Sequence, residues 1–102
     1  ALRRGKPVTA DEAAEATRLY HKGNEMFREG DVKGAEERFR LAVDKDPSHV
    51  FAWANLGNSL RANGKLEDAA RAFHTAFTLN PSRARSAYNL ATTLQSLSRH
   101  ID

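Results

Sequence analysis

Residues 23–48 read GNEMFREGDVKGAEERFRLAVDKDPS, and residues 57–82 read GNSLRANGKLEDAARAFHTAFTLNPS. Laid over one another, they match Gly23 with Gly57, Gly30 with Gly64, Ala35 with Ala69, Phe39 with Phe73, Ala42 with Ala76 and Pro47 with Pro81, each pair 34 residues apart. Six identities at a single offset mark an internal repeat. The phase carries on downstream: Leu56 recurs as Leu90, and the small Ala91 stands where Gly57 would recur.

The residue types say what each unit is. Gly30 and Gly64 lie in the short polar breaks REGDVK and ANGKLE, where glycine can take the positive φ that ends a helix. Pro47 and Pro81 lie in DKDPSH and TLNPSR. Proline cannot continue a helix but fits the first turn of the next one. Between the breaks, apolar residues fall at helical spacing: Phe39, Ala42 and Val43 on one face, then Ala69, Ala70, Phe73, Ala76 and Phe77 on the next. No window alternates as a half-buried strand would. Each unit is therefore two helices and two breaks. Gly23 and Gly57 fall inside helices, where glycine costs about 1 kcal/mol against alanine. The expected return is close approach. Phe39 or Phe73 from the partner helix can lie against bare backbone, with Ala35 and Ala69 as the matching small residues.

Five helices are expected. Thr9 followed by Glu12 reads as a capping box, which starts the first at Ala10 and carries it to about Glu29. The second spans Val32 to Lys45, the third runs from just after Pro47 to Ala62, the fourth covers Leu66 to Leu79, and the fifth runs from Ser82 to Leu97. Residues 1–9 are expected to be a flexible tail and 99–102 a frayed end, with repeats at about 16–49, 50–83 and a partial one at 84–98.

Composition narrows the classes. The chain has 102 residues, 28% charged and 40% apolar, which is the balance of one small globular domain. The net charge is +3, and Arg3, Arg4 and Lys6 cluster in the opening segment. A basic tail of this kind is not a stripe along a helix and points away from nucleic acid. With no cysteine, disulfides, thiol catalysis and thiolate metal sites are excluded. No apolar run is long enough to span a bilayer, and the opening ALRRGKPVTA has charge without an apolar stretch behind it. No membrane partner, cofactor or metal is expected. His21 and Glu25 form an i,i+4 pair with no third ligand, Ser48 and Ser82 sit beside prolines as turn residues, and GDVKGA lacks the spacing of a phosphate loop. Catalysis has no constellation to work with, so these residues are not expected to form an enzyme.

Trp53, Leu56, Gly57, Ala69, Phe73, Ala76 and Pro81, at their 34-residue period, resemble the tetratricopeptide repeat family. The first repeat keeps Gly23, Ala35, Phe39, Ala42 and Pro47, with Leu19 at the tryptophan site and Lys22 at the leucine site. The third has Leu90, Ala91 and Leu94, places Ala87 where Trp53 would recur, and stops before its second helix. The resemblance covers residues 16–98. It implies an all-α, right-handed α-solenoid of antiparallel helix pairs. It also implies a non-catalytic scaffold for a protein or extended peptide.

In such stacks the first helix of each repeat lines a concave surface. By the resemblance, the groove holds Thr17, Tyr20, His21, Asn24 and Arg28 from the first repeat and Phe51, Asn55, Asn58 and Arg61 from the second. Arg85, Tyr88, Asn89, Thr92 and Gln95 come from the third. Asn55 and Asn89 are one period apart, as are Asn24 and Asn58, so two rows of amides are expected to form a ladder. An amide side chain can hydrogen-bond an extended backbone without reading its sequence. Tyr20, Phe51 and Tyr88 add apolar area, while Arg28, Arg61 and Arg85 favour a neutral or acidic segment. Some relatives grip a C-terminal carboxylate of heat-shock chaperones with lysine, asparagine and arginine. Asn24, Asn55 and Arg85 fit that pattern, but Tyr20 and Asn89 stand where two of its cations belong. The Asn55 and Asn89 pair is more similar to the asparagine ladder of the glycosyltransferase that attaches N-acetylglucosamine to proteins. Two other roles follow from the sequence: a substrate-docking or regulatory segment of a larger enzyme, and self-association.

The face between repeats carries small residues, Ala52 and Ser59 in the second and Ser86 and Thr93 in the third, whereas the first repeat has Arg18 and Glu25 there. Charged residues are rarely fully buried, so the array is expected to begin at the first repeat. At the other end Leu90, Leu94 and Leu97 form an apolar stripe, expected to be covered by continuing chain or by a second copy in a homo-oligomer.

Overall fold

The computed structural model describes residues 5–101. Arg3 and Arg4 of the basic head, with the rest of residues 1–4, and Asp102 lie outside the described residues. Five helices follow one another: α1 (Ala10–Arg28), α2 (Val32–Lys45), α3 (Val50–Ala62), α4 (Leu66–Leu79) and α5 (Ala84–Ile101). They stack as an all-α solenoid, α1 with α2, α3 with α4, and α5 against α4.

The helix ends follow the residues predicted to make them. Thr9 Oγ1 accepts from Glu12 N at 3.1 Å while Thr9 N donates to Glu12 Oε1 at 3.0 Å, closing the capping box of α1. Gly30 and Gly64 have φ of 91° and 81°. In both turns the residue after the glycine donates five residues back, Asp31 N to Met26 O at 2.9 Å and Lys65 N to Leu60 O at 2.8 Å. That is the Schellman closure, and it recurs one period apart. Proline is placed differently from expectation. Pro47 precedes the His49 N-cap of α3 by two residues, and α5 begins at Ala84, two residues after Ser82. The cause is a polar turn. Asp46 Oδ1 accepts from Ser48 Oγ at 2.7 Å and Asn80 Oδ1 from Ser82 Oγ at 2.7 Å, so each proline sits inside a turn. The helix α5 also continues to Ile101, past the frayed end expected from residue 99, since SRHI contains no residue that stops a helix.

The core is built at the glycine crossings. A Cβ on Gly23 would come within 2.6 Å of the Phe39 ring, and one on Gly57 within 2.6 Å of the Phe73 ring. Both phenylalanines are buried, as are Ala35 and Ala69 beside them. Between repeats the small residues close the gap: Ala52, Ser59, Ser86 and Thr93 are all fully buried, while Arg18 and Glu25 are exposed. Trp53 Nε1 donates to Pro47 O at 2.8 Å and ties α3 to the turn before it. Leu56 and Leu60 are covered by α4 at 3% and 2% exposure; their counterparts on α5 are not, and Leu94 is 50% exposed. Leu90 and Leu97 are half-buried.

One buried carboxylate links the repeats. Glu36 on α2 accepts from Asn63 Nδ2 at 2.8 Å, Arg40 Nη2 at 3.0 Å and Lys65 Nζ at 3.1 Å. Burial alone would raise its pKa. The hydrogen bonds from Asn63, Arg40 and Lys65, with the charge of Lys65, outweigh burial and hold it below the usual value of 4.5.

Two outcomes follow. Gly57→Ala gains helix propensity but forces a methyl into the Phe73 ring, and a net loss of about 1–2 kcal/mol is expected in urea unfolding. In a Phe73→Leu background the same change should be neutral or stabilising, and a simple gain in the wild-type background would remove the crossing from the account. For Glu36, a depressed pKa means that its contribution is present above the ordinary carboxylate value and is lost as pH falls through the lowered one. Glu36→Gln should therefore cost about 1–2 kcal/mol at pH 7, given that Lys65 and Arg40 are half-exposed. The gap to wild type should close in strong acid; a gap that does not change with pH contradicts this role.

Candidate functional site

Two adjoining pockets lie along α1, α3 and α5. The first, about 130 Å³, is lined by Asn24, Phe27, Arg28, Phe39, Asn55 and Asn58. The second, about 570 Å³, is lined by Asn58, Arg61, Ala84, Arg85, Tyr88 and Asn89. Asn58 is common to both. Eight of the fourteen residues expected in the groove from the sequence line these pockets. Thr17, His21, Thr92 and Gln95 do not, and neither do the aromatics Tyr20 and Phe51.

Those two aromatics are engaged elsewhere. Tyr20 is half-buried in a cluster with Phe39, Phe51 and the His49 ring, whose centroid lies 5.0 Å away. His49 is there because it caps α3: its Nδ1 accepts from Ala52 N at 3.1 Å. Phe51 is 52% exposed, with the Arg83 guanidinium 5.0 Å from its centroid. Phe27 lines the first pocket and was not singled out for it in the sequence, and neither were Arg83, which contacts Phe51, and the buried Thr93, which bonds Arg61. Phe27 could have been found, because it stands one period before Arg61.

The asparagines do not form two separate rows. Asn55 Nδ2 donates to Asn24 Oδ1 at 2.6 Å, and Asn58 Nδ2 donates to Asn55 Oδ1 at 3.3 Å. Arg61 Nη2 then donates to Asn58 Oδ1 at 3.2 Å and its Nη1 to Thr93 Oγ1 at 3.4 Å. Thr93 in turn donates to the backbone oxygen of Asn89 at 2.7 Å. One connected chain of hydrogen bonds therefore crosses from α5 over α3 to α1. The two rows expected from the period are cross-linked, because positions 24 and 55 lie 31 residues apart and meet across adjacent helices. Asn89 is 8% exposed and lines the second pocket.

The electrostatics are one-sided. Neither α3 nor α5 contains an aspartate or glutamate. Arg61 and Arg85 thus face the second pocket with no carboxylate among its lining residues. In the first pocket Arg28 is exposed at the rim of an apolar floor made by Phe27 and Phe39. Among the described residues, no three histidine, aspartate or glutamate side chains gather as metal ligands, and no helix is long and apolar enough to cross a membrane.

Comparison with known proteins bears on the fold. Residues 50–83 match the family model described as tetratricopeptide repeat. An uncharacterized protein of Methanocaldococcus jannaschii is 32% identical over 75 residues, which is 74% of this chain and 87% of that protein. The peroxisomal targeting signal receptor of Kluyveromyces lactis is 42% identical over 53 residues, covering 52% of this chain but only 9% of the receptor. Among solved structures, the second TPR of Spaghetti (RPAP3), bound to the HSP90 peptide SRMEEVD, superposes with a TM-score of 0.82 at 21% identity over 87% of this chain and 82% of that one. Repeat period, glycine crossings, helix stacking and these matches agree: the chain belongs to the tetratricopeptide repeat family.

Proposed function

We propose that this chain is a non-catalytic scaffold that holds an extended segment of another protein along the concave side of α1, α3 and α5. The observation that carries this reading is the single hydrogen-bonded chain from Thr93 through Arg61, Asn58 and Asn55 to Asn24, flanked by two pockets. A prearranged polar floor costs little to order on binding. Its amide hydrogens suit backbone carbonyls, which every sequence offers. The likeness to a domain solved with a bound peptide, and to a targeting-signal receptor, supports the same reading.

The pockets divide the work. The first takes a small apolar side chain against Phe27 and Phe39. The second takes an acidic one beside Arg61 and Arg85, with Tyr88 as an apolar wall. Because Tyr20 and Asn89 stand where two further cations would be needed, a free C-terminal carboxylate is not required of the ligand.

The test is a peptide array of extended sequences, probed with the wild-type chain and with Asn55→Ala/Asn89→Ala. The strongest wild-type binders should carry an acidic residue and weaken several-fold in the double variant, at about 1 kcal/mol per lost neutral hydrogen bond. The double variant should remain helical at the temperature of the assay by circular dichroism, although Asn55 gives up its bonds to Asn24 and Asn58. An array without selective binders, or binders indifferent to the double substitution, defeats the reading.

A further inference from the structure

A guanidinium has donors only, and this settles the orientation of every amide in the row. Arg61 Nη2 lies 3.2 Å from the Asn58 side chain, so the Asn58 atom facing it must be oxygen. The Asn58 nitrogen is then turned toward Asn55, 3.3 Å away, where the facing atom must again be oxygen. Asn55 in turn presents its nitrogen to Asn24 at 2.6 Å and meets a third oxygen. One side chain thus fixes the direction of three amides on two helices.

Arg61 is itself held in place. Its guanidinium carbon lies 5.1 Å from the centroid of the buried Phe73 ring, and its other nitrogen reaches Thr93 on α5. We propose that Arg61 is a positioning residue that turns the oxygens of Asn58, Asn55 and Asn24 into the row, so that the groove floor offers donors and selects ligand segments by their carbonyl and carboxylate oxygens. Each of the three oxygens is engaged by a donor inside the row. The unspent groups are the two hydrogens of Asn24 Nδ2, the second hydrogens on Asn55 and Asn58, and the remaining guanidinium hydrogens. The ligand class is an acceptor-rich segment: extended backbone with acidic side chains, as opposed to one rich in lysine or in free amines.

This inference rests on the groove reading for its ligand and stands apart from it in its geometry, so the experiment has two arms. The first needs no ligand. In the free protein, NOEs from the labelled side-chain amide protons of Asn58 should run toward Asn55, and those of Asn55 toward Asn24. Arg61→Lys, still a pure donor, should preserve that pattern. Arg61→Glu, a pure acceptor, should reverse it, with the Asn58 amide protons now facing residue 61. Asn58 protons that face residue 61 in the wild type, or an unchanged pattern in Arg61→Glu, overturn the proposal. The second arm probes an array of extended peptides in matched glutamate and lysine versions. Wild type and Arg61→Lys should both prefer the glutamate versions at least tenfold, and Arg61→Glu should lose that preference. Lysine versions bound as well as glutamate versions by the wild type would overturn the assigned ligand class even with the NOE pattern intact. An array with no binder at all would sink the groove reading and with it the ligand class, and the amide orientation would then be decided by the first arm alone.

Discussion

The contact between a missing side chain and an aromatic ring sets the spacing on which the rest of this molecule depends. At Gly57 the α3 backbone is bare, and the Phe73 ring occupies the space a methyl would need. At Gly23 the Phe39 ring does the same. Close packing of this kind leaves no slack: interiors at crystal-like density respond to a single methylene. With the helices of each pair held this near, Ala35 and Ala69 fit between them, and the pair becomes a unit that cannot bury its outer face alone. Stacking then follows, with Ala52, Ser59, Ser86 and Thr93 as the small residues that let one pair settle on the next.

The same ring that fixes the crossing also supports the polar floor. Phe73 meets Gly57 at its ring edge and carries the Arg61 guanidinium near its centroid. Arg61 then reaches Asn58 on its own helix and Thr93 on the next repeat. Helix packing and groove chemistry are therefore joined through one residue pair. The first repeat shows what happens without it. Phe27 stands one period before Arg61, and there an apolar side chain lines a small pocket together with Phe39. A cation at the same site in the second repeat, held over its ring, goes with a larger pocket that Arg61 itself lines.

How much of this could be read in advance depends on whether the determinant was local or periodic. The period, the crossing glycines, the Schellman glycines and the Thr9 capping box each have a residue type that does one physical thing, and all four appear as read. Helix starts after the prolines were misjudged by two residues, because Asp46 and Asn80 build their own turns with Ser48 and Ser82, a side-chain effect that proline alone does not announce. Eight of the fourteen expected positions line the two pockets because a repeat places equivalent positions on one surface. Their mutual bonds were not legible in this way. A period says which residues share a position, and it is silent on which neighbour a side chain reaches. Asn24 therefore bonds Asn55, which is not its equivalent one period on, and Tyr20 turns to the His49 cap.

Acidic residues are unevenly spread over the five helices. All the acidic residues between Asp11 and Asp68 lie on α1, α2, α4 and the connecting turns, and α3 and α5 have none. On α2 and α4 two carboxylates have cationic partners, Glu36 with Arg40 and Lys65, and Asp68 with Arg71. Such pairs are close to neutral in their effect on stability when exposed, and Glu36 matters because it is buried. On α3, Arg61 has no carboxylate partner and is satisfied instead by oxygens of neutral groups, Asn58 and Thr93. A positive charge held by neutral acceptors keeps its long-range field. That field, acting before contact, is the physical ground for the preference for acidic segments proposed for the second pocket, with the amides acting only at close range.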